Sequence, residues 1–174
     1  MRIISRKKSG FTLIELLLYI SMISVVVFII SSFMFLILQA RIKNQTIAEV
    51  EQQGSQVMQI ITQTIRNATG ITAPSAIGIE ATGATLTVPT PANSPTIFSR
   101  DNSTQQIIMK EGSAAAVALT NTRVTVNGLT FLNNSRSSTS RILQVSITLS
   151  AVNPNNRNEY EYSKTFISSA QLRP

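Results

Sequence analysis

The chain of 174 residues contains no cysteine and no histidine. Those two absences exclude structural disulfides, thiolate chemistry, zinc fingers and any triad or metal site that depends on imidazole. Proline is missing from residues 11–69, so nothing there forbids a continuous helix. Charge is almost missing from residues 11–38, where Glu15 stands alone. Acidic residues are scarce throughout, eight against fifteen Lys and Arg, for a formal charge of +7. The excess is local: Arg2, Arg6, Lys7 and Lys8 supply four of the positive charges, and without residues 1–10 the balance is +3, eleven basic against eight acidic residues. The remaining basic residues are scattered singly, whereas a nucleic-acid groove needs them clustered, often with stacking aromatics. Nucleic acid is therefore not an expected partner. The chain also has no Gly-x-Ser-x-Gly elbow and no glycine-rich phosphate loop, and Glu80, Asp101 and Glu111 have no motif spacing. No enzyme and no cofactor are expected.

What is present begins with the apolar run. Residues 11–38 would make about 42 Å of helix, enough to cross a hydrocarbon core about 30 Å thick. A chain of this size has no interior that could surround such a helix on every side. A secretory signal peptide also has a basic start and an apolar stretch, but its stretch is about half as long, roughly 7–15 residues, and a small-x-small site follows it. No such site precedes the polar boundary at Gln39-Ala40-Arg41. Basic residues ahead of the span favour a cytoplasmic amino terminus. Everything after about residue 40 is then extracytoplasmic.

Beyond Leu38 the helical pattern continues in a different form. Ile47, Val50, Gly54, Val57, Met58, Ile61, Ile65 and Ala68 recur at spacings of three and four, and Gln45, Glu49, Gln52, Gln53, Gln56, Gln59 and Gln63 occupy the other face. Gly70 offers a stop. The spacing predicts one helix over residues 11–69, its first half in lipid and its second half lying on a sheet. In that sheet Leu143, Val145, Ile147 and Leu149 alternate with polar residues, and across the turn at 153–158 Tyr160, Tyr162 and Phe166 share a face of the returning strand. Residues 106–110 and 116–119 form a second hairpin about Gly112. The apolar parity shifts between Val124, Val126 and Leu129, Phe131, which demands a bulge or tight turn at Asn127-Gly128. Residues 70–100 are rich in Ala, Thr, Gly and Pro, and Pro74, Pro89, Pro91 and Pro95 exclude a regular helix there; Leu86 and Val88 fit a short edge strand, and residues 133–140 read as a solvated loop.

The segment Ser9-Gly10-Phe11-Thr12-Leu13-Ile14-Glu15-Leu16-Leu17, behind a short basic leader, resembles the class III signal of type IV pilins and of the pseudopilins of type II secretion systems. The resemblance implies a pilin-like α+β fold: one long N-terminal helix, membrane-spanning in its first half and amphipathic in its second, packed on an antiparallel β-sheet. It divides the chain into a cleaved leader (1–10), a transmembrane half-helix (11–38), an amphipathic half-helix (39–69) and an extracytoplasmic β-sheet domain (70–174). Prepilin peptidase is expected to cut between Gly10 and Phe11 and to methylate the new amine of Phe11. The side-chain-free Gly10 suits a protease that must approach the backbone closely, and Arg2, Arg6, Lys7 and Lys8 hold the leader in the cytoplasm.

Glu15 costs about 2.5–3.5 kcal/mol on insertion scales if it faces lipid. It either snorkels to the headgroups or, as the resemblance implies, meets the protonated amine of Phe11 on a neighbouring subunit or its own. Expected partners are the peptidase, other pilin or pseudopilin subunits, the inner-membrane assembly platform and membrane lipid. The expected location is the inner membrane, then the fibre. Many major pilins have a disulfide loop and a proline in the span; this chain has no Cys, and Ser24, Ser31 and Ser32 in the span. These departures favour a minor pilin or minor pseudopilin, and Ile65-Arg66-Asn67-Ala68 with Leu172-Arg173 look like the W-type pilins and J-type pseudopilins. A membrane-anchored, ligand-binding or adhesin domain is the alternative from another class; it has no need of Gly10 or Glu15.

Overall fold

A computed structural model of the chain describes residues 10–136 and 141–173. The N-terminal helix, α1, runs over Leu13–Asn67, 55 residues without a break. It contributes to two compact units, one ending at Arg41 and one spanning Ile42–Pro174.

In the first unit the helix is apolar on all sides and its side chains are exposed. It is long and apolar enough to cross a membrane by length and composition. Three of its hydroxyls are satisfied within the helix: Ser21 Oγ donates to Leu18 O (2.8 Å), Ser24 Oγ to Ser21 O (2.8 Å) and Ser32 Oγ to Phe28 O (2.9 Å). A hydroxyl bonded to the preceding turn asks nothing of its surroundings, which is why such residues are tolerated where no water is at hand.

In the second unit the rest of α1 packs on antiparallel β-structure. The strands are β1 (Gly70–Ala73), β2 (Glu80–Ala81), β3 (Gly83–Thr87), β4 (Thr96–Arg100), β5 (Ile107–Glu111), β6 (Val117–Ala118), β7 (Val124–Asn133), β8 (Ile142–Ala151) and β9 (Ser163–Gln171). They form two sheets rather than the single one expected, in the orders β1-β3-β4-β5-β6 and β2-β7-β8-β9. The extra sheet comes from the stretch least legible in sequence. Its prolines do not interrupt it, because Pro74, Pro89 and Pro91 lie between strands and Pro95 directly precedes β4. Leu86 lies in β3, between β1 and β4 and not at an edge, and Val88 falls outside the strand.

The helical stripe is the one the spacing predicts up to the helix end at Asn67: Val50, Val57, Ile61 and Ile65 are fully buried, together with Gly54, while Ile47 and Met58 are half-buried; Ala68, also buried, lies one residue past the helix. They share one core with Leu86, Phe98, Val126, Phe131, Leu143, Val145, Ile147 and Leu149. Alternation in β8 is as expected, and the parity shift in β7 is a bulge between Val126 and Gly128 inside one ten-residue strand. The second hairpin, β5–β6, also forms. Tyr160 is not in the returning strand; it lies in a 3-10 turn (Asn158–Tyr160), and Tyr162 precedes β9.

Two polar regions depart from expectation. The helix face carrying Glu49 and Gln53 is tied down: Asn121 Nδ2 donates to Glu49 and Asn121 N to Gln53 Oε1 (3.3 Å). In the segment read as a solvated loop, Asn133 and Ser135 are buried. Asn133 Nδ2 donates to Pro74 O (2.8 Å), and Ser135 Oγ accepts from Ile142 N (3.1 Å), so each buried polar group is satisfied locally. Residues 137–140 lie outside the described residues.

Candidate processing and assembly site

Gly10, Phe11 and Thr12 precede the helix in irregular backbone, and Leu16 N donates to Thr12 O (3.2 Å) to close its first turn. Gly10 is exposed, and a Cβ built on it would meet nothing within 4 Å. Among the described residues, then, no atom crowds the position where a side chain at Gly10 would stand. Phe11 is 68% exposed, and its ring centroid lies 5.6 Å from that of Tyr19, two turns along the helix. The predicted leader residues Arg2, Arg6, Lys7 and Lys8 lie outside the described residues.

Glu15 sits in the first turn of α1 and is exposed. Backbone N–H groups without intrahelical partners and the positive end of the helix dipole make this a favourable place for a carboxylate, by about 0.3–1 kcal/mol at an exposed site. Among the described residues no side chain pairs with it. Within the described residues Glu15 is therefore not brought together with a cation. The amine assigned to Phe11 is an amide nitrogen in the uncut chain, so no charge exists there to pair. Sequence spacing held a further signal here: Thr12 three residues ahead of Glu15, just before an apolar run, is the pattern of a capping box and marks the helix start at Leu13.

The opposite end of the helix meets the end of the chain. Arg173 N donates to Arg66 O (3.2 Å), Leu172 N to Arg141 O (3.0 Å) and Arg141 Nη1 to Thr69 O (2.9 Å), with Leu172 buried beside them. The two short segments 65–68 and 172–173 are therefore one cluster in space.

A long helix with an apolar first half, a glycine ahead of it, an acid in its first turn and antiparallel sheets on its second half define a pilin-like α+β protein. Residues 5–35 match the model of the prokaryotic N-terminal methylation motif. That match supports the type IV pilin and pseudopilin family, and with it a chain of the kind prepilin peptidase processes, whose members are structural rather than enzymatic. The motif and the apolar helix together support membrane anchoring. No match to the chain was found among curated proteins or among solved structures.

Proposed function

We propose that the chain is a minor pilin or minor pseudopilin, a structural subunit of a type IV pilus or type II secretion pseudopilus. The observation that carries this reading is the methylation motif over residues 5–35, with an unobstructed Gly10 just ahead of α1 and Glu15 in its first turn. In this reading prepilin peptidase cuts between Gly10 and Phe11 and methylates the Phe11 amine. The 28-residue stretch from 11 to 38 holds the uncut subunit in the inner membrane, with the unit Ile42–Pro174 on the extracytoplasmic side. After extraction by the assembly platform, Glu15 pairs with the Phe11 amine in a bundle of such helices. In a dry bundle each charge needs the other, because either alone would be buried without a partner.

A minor role is favoured by the absence of cysteine and by a span without proline. The contact between Arg66 and Arg173 joins the two segments that look like the W-type pilins and J-type pseudopilins. The test is fractionation of sheared fibres from cells making the native protein. Mature subunit in the fibre fraction, far below the amount of the main fibre protein, is the expected result. Protein confined to membranes in cells that assemble fibres would instead indicate an anchored domain.

A further inference from the structure

Arg100 ends β4 on the same face as Phe98 and Thr96, which are buried, so its side chain starts out toward the space between the two sheets. Its Nε is buried and has no hydrogen-bond partner. Among the described residues it forms no ion pair. An unpartnered buried donor on a permanent cation is costly, and native structures retain few of them. The neighbouring acid, Asp101, does not serve: its carboxylate accepts from Ser103 N (2.9 Å), Ser103 Oγ (2.6 Å) and Thr104 Oγ1 (2.8 Å).

Arg100 lines a cleft of about 410 Å³ where β3 and β4 approach β7. The bulge between Val126 and Gly128 forms one wall; a bulge bends its strand and interrupts the ladder, which is how sheets open such spaces. Thr82, Ser99, Asn102 and Thr130 also line it, and no hydrogen bond within the described residues engages their side chains. Arg100 thus lines the cleft together with four neutral polar residues whose side chains no described residue engages. The volume is that of a small-molecule site.

We propose that this cleft is a binding site for a small hydroxylated carboxylate of the uronic-acid type, with the Arg100 guanidinium gripping the carboxylate and the surrounding hydroxyls and amide taking the ligand's own hydroxyls. The planar guanidinium fork matches a carboxylate in bidentate geometry. Among the described residues no second basic residue lines the cleft, which fits a monoanion rather than a phosphate dianion, and no aromatic side chain lines it to stack a nucleobase. Nor, among the described residues, does an acidic one line it to repel the ligand.

The test uses the full-length protein in a non-ionic detergent, labelled with 15N, and follows the Arg100 Nε–H and the amides of Gly83 and Gly128 during titration. D-glucuronate is expected to produce a saturable shift, D-glucose none, and inorganic phosphate a weaker response. Arg100→Gln should abolish the shift at the amides, and Arg100→Lys, which keeps the charge but loses the fork, should weaken binding about fivefold or more. Thr130→Val, which leaves Arg100 in place, should weaken binding with the fold intact, and so keeps the test open if Arg100→Gln does not fold. The proposal is overturned if glucuronate gives no saturable shift, if glucose or phosphate binds as well, or if folded Arg100→Gln or Thr130→Val binds like the native chain.

Discussion

The ring of Phe166 in β9 lies against Gly54 of α1 and occupies the space that a side chain at position 54 would need. Glycine costs a helix interior about 1 kcal/mol relative to alanine, so its presence at mid-helix calls for a reason, and this contact supplies it. Gly54→Val should therefore destabilise the unit Ile42–Pro174 by about 1–3 kcal/mol through overpacking. Phe166→Ala in the same chain should remove much of that penalty. Thermal melts of the two single variants and the double variant give the coupling; additive losses would place the cost elsewhere.

Ile61 is completely buried on the same stripe. The fragment 42–174 should be soluble and folded by itself, since that unit is compact and has its own core. Within it Ile61→Asp should cost about 4 kcal/mol or more, because a carboxylate there has neither water nor a cation. Denaturant unfolding of the two fragments measures the difference, and a variant melting within a degree or two of its parent would show that the stripe is not the core face.

Those two residues also show where sequence reading succeeds and where it stops. Ile61 was legible because burial repeats with the helical period, and the β7 bulge was legible because a one-residue parity shift cannot be hidden in a strand of period two. The partner of Gly54 was not legible, since no local pattern says which distant side chain fills the gap left by a glycine. The first sheet was largely missed for a related reason. Its strands β1, β3 and β4 are short, separated by prolines, and stabilised by pairing with one another rather than by any strong pattern of their own. At the candidate site the residue types and spacing around Gly10 and Glu15 were plain in the sequence, but any pairing of Glu15 depends on a charge that cleavage must create.

Asp101 should register in the acid limb of the stability curve. Hydrogen bonds from Ser103 and Thr104 lower its pKa from 3.8 to about 2. A carboxylate depressed in the folded state contributes stability that is present above its unfolded pKa and is lost as pH falls through the folded one. Asp101→Asn should therefore lower Tm at neutral pH, and its difference from the native chain should shrink as pH falls from 3.8 to about 2. A difference independent of pH across that window would show that the charge contributes nothing. The Glu51 carboxylate, lowered by its hydrogen bond from Lys164, acts with the same sign, but that pair is exposed and its contribution should fade with added salt.

Glu15→Val should separate processing from assembly. The valine removes the insertion cost yet leaves the Phe11 amine without a counter-ion in a helix bundle, where a lone charge is expensive. Leader removal should continue, while entry into sheared fibres should fall at least about tenfold, the equivalent of 1.4 kcal/mol, when the variant is the sole copy. Normal incorporation of processed Glu15→Val subunits would mean that the carboxylate only snorkels.

The central claim rests on the bond between Gly10 and Phe11. Intact-mass and N-terminal peptide mass spectrometry of the protein from cells with an active prepilin peptidase should find a chain that starts at an N-methylated Phe11. The Gly10→Val variant should retain residues 1–10, because a branched side chain stands where the peptidase must reach the backbone. A native protein that keeps its leader in such cells, or a Gly10→Val variant that loses it equally well, would contradict the account.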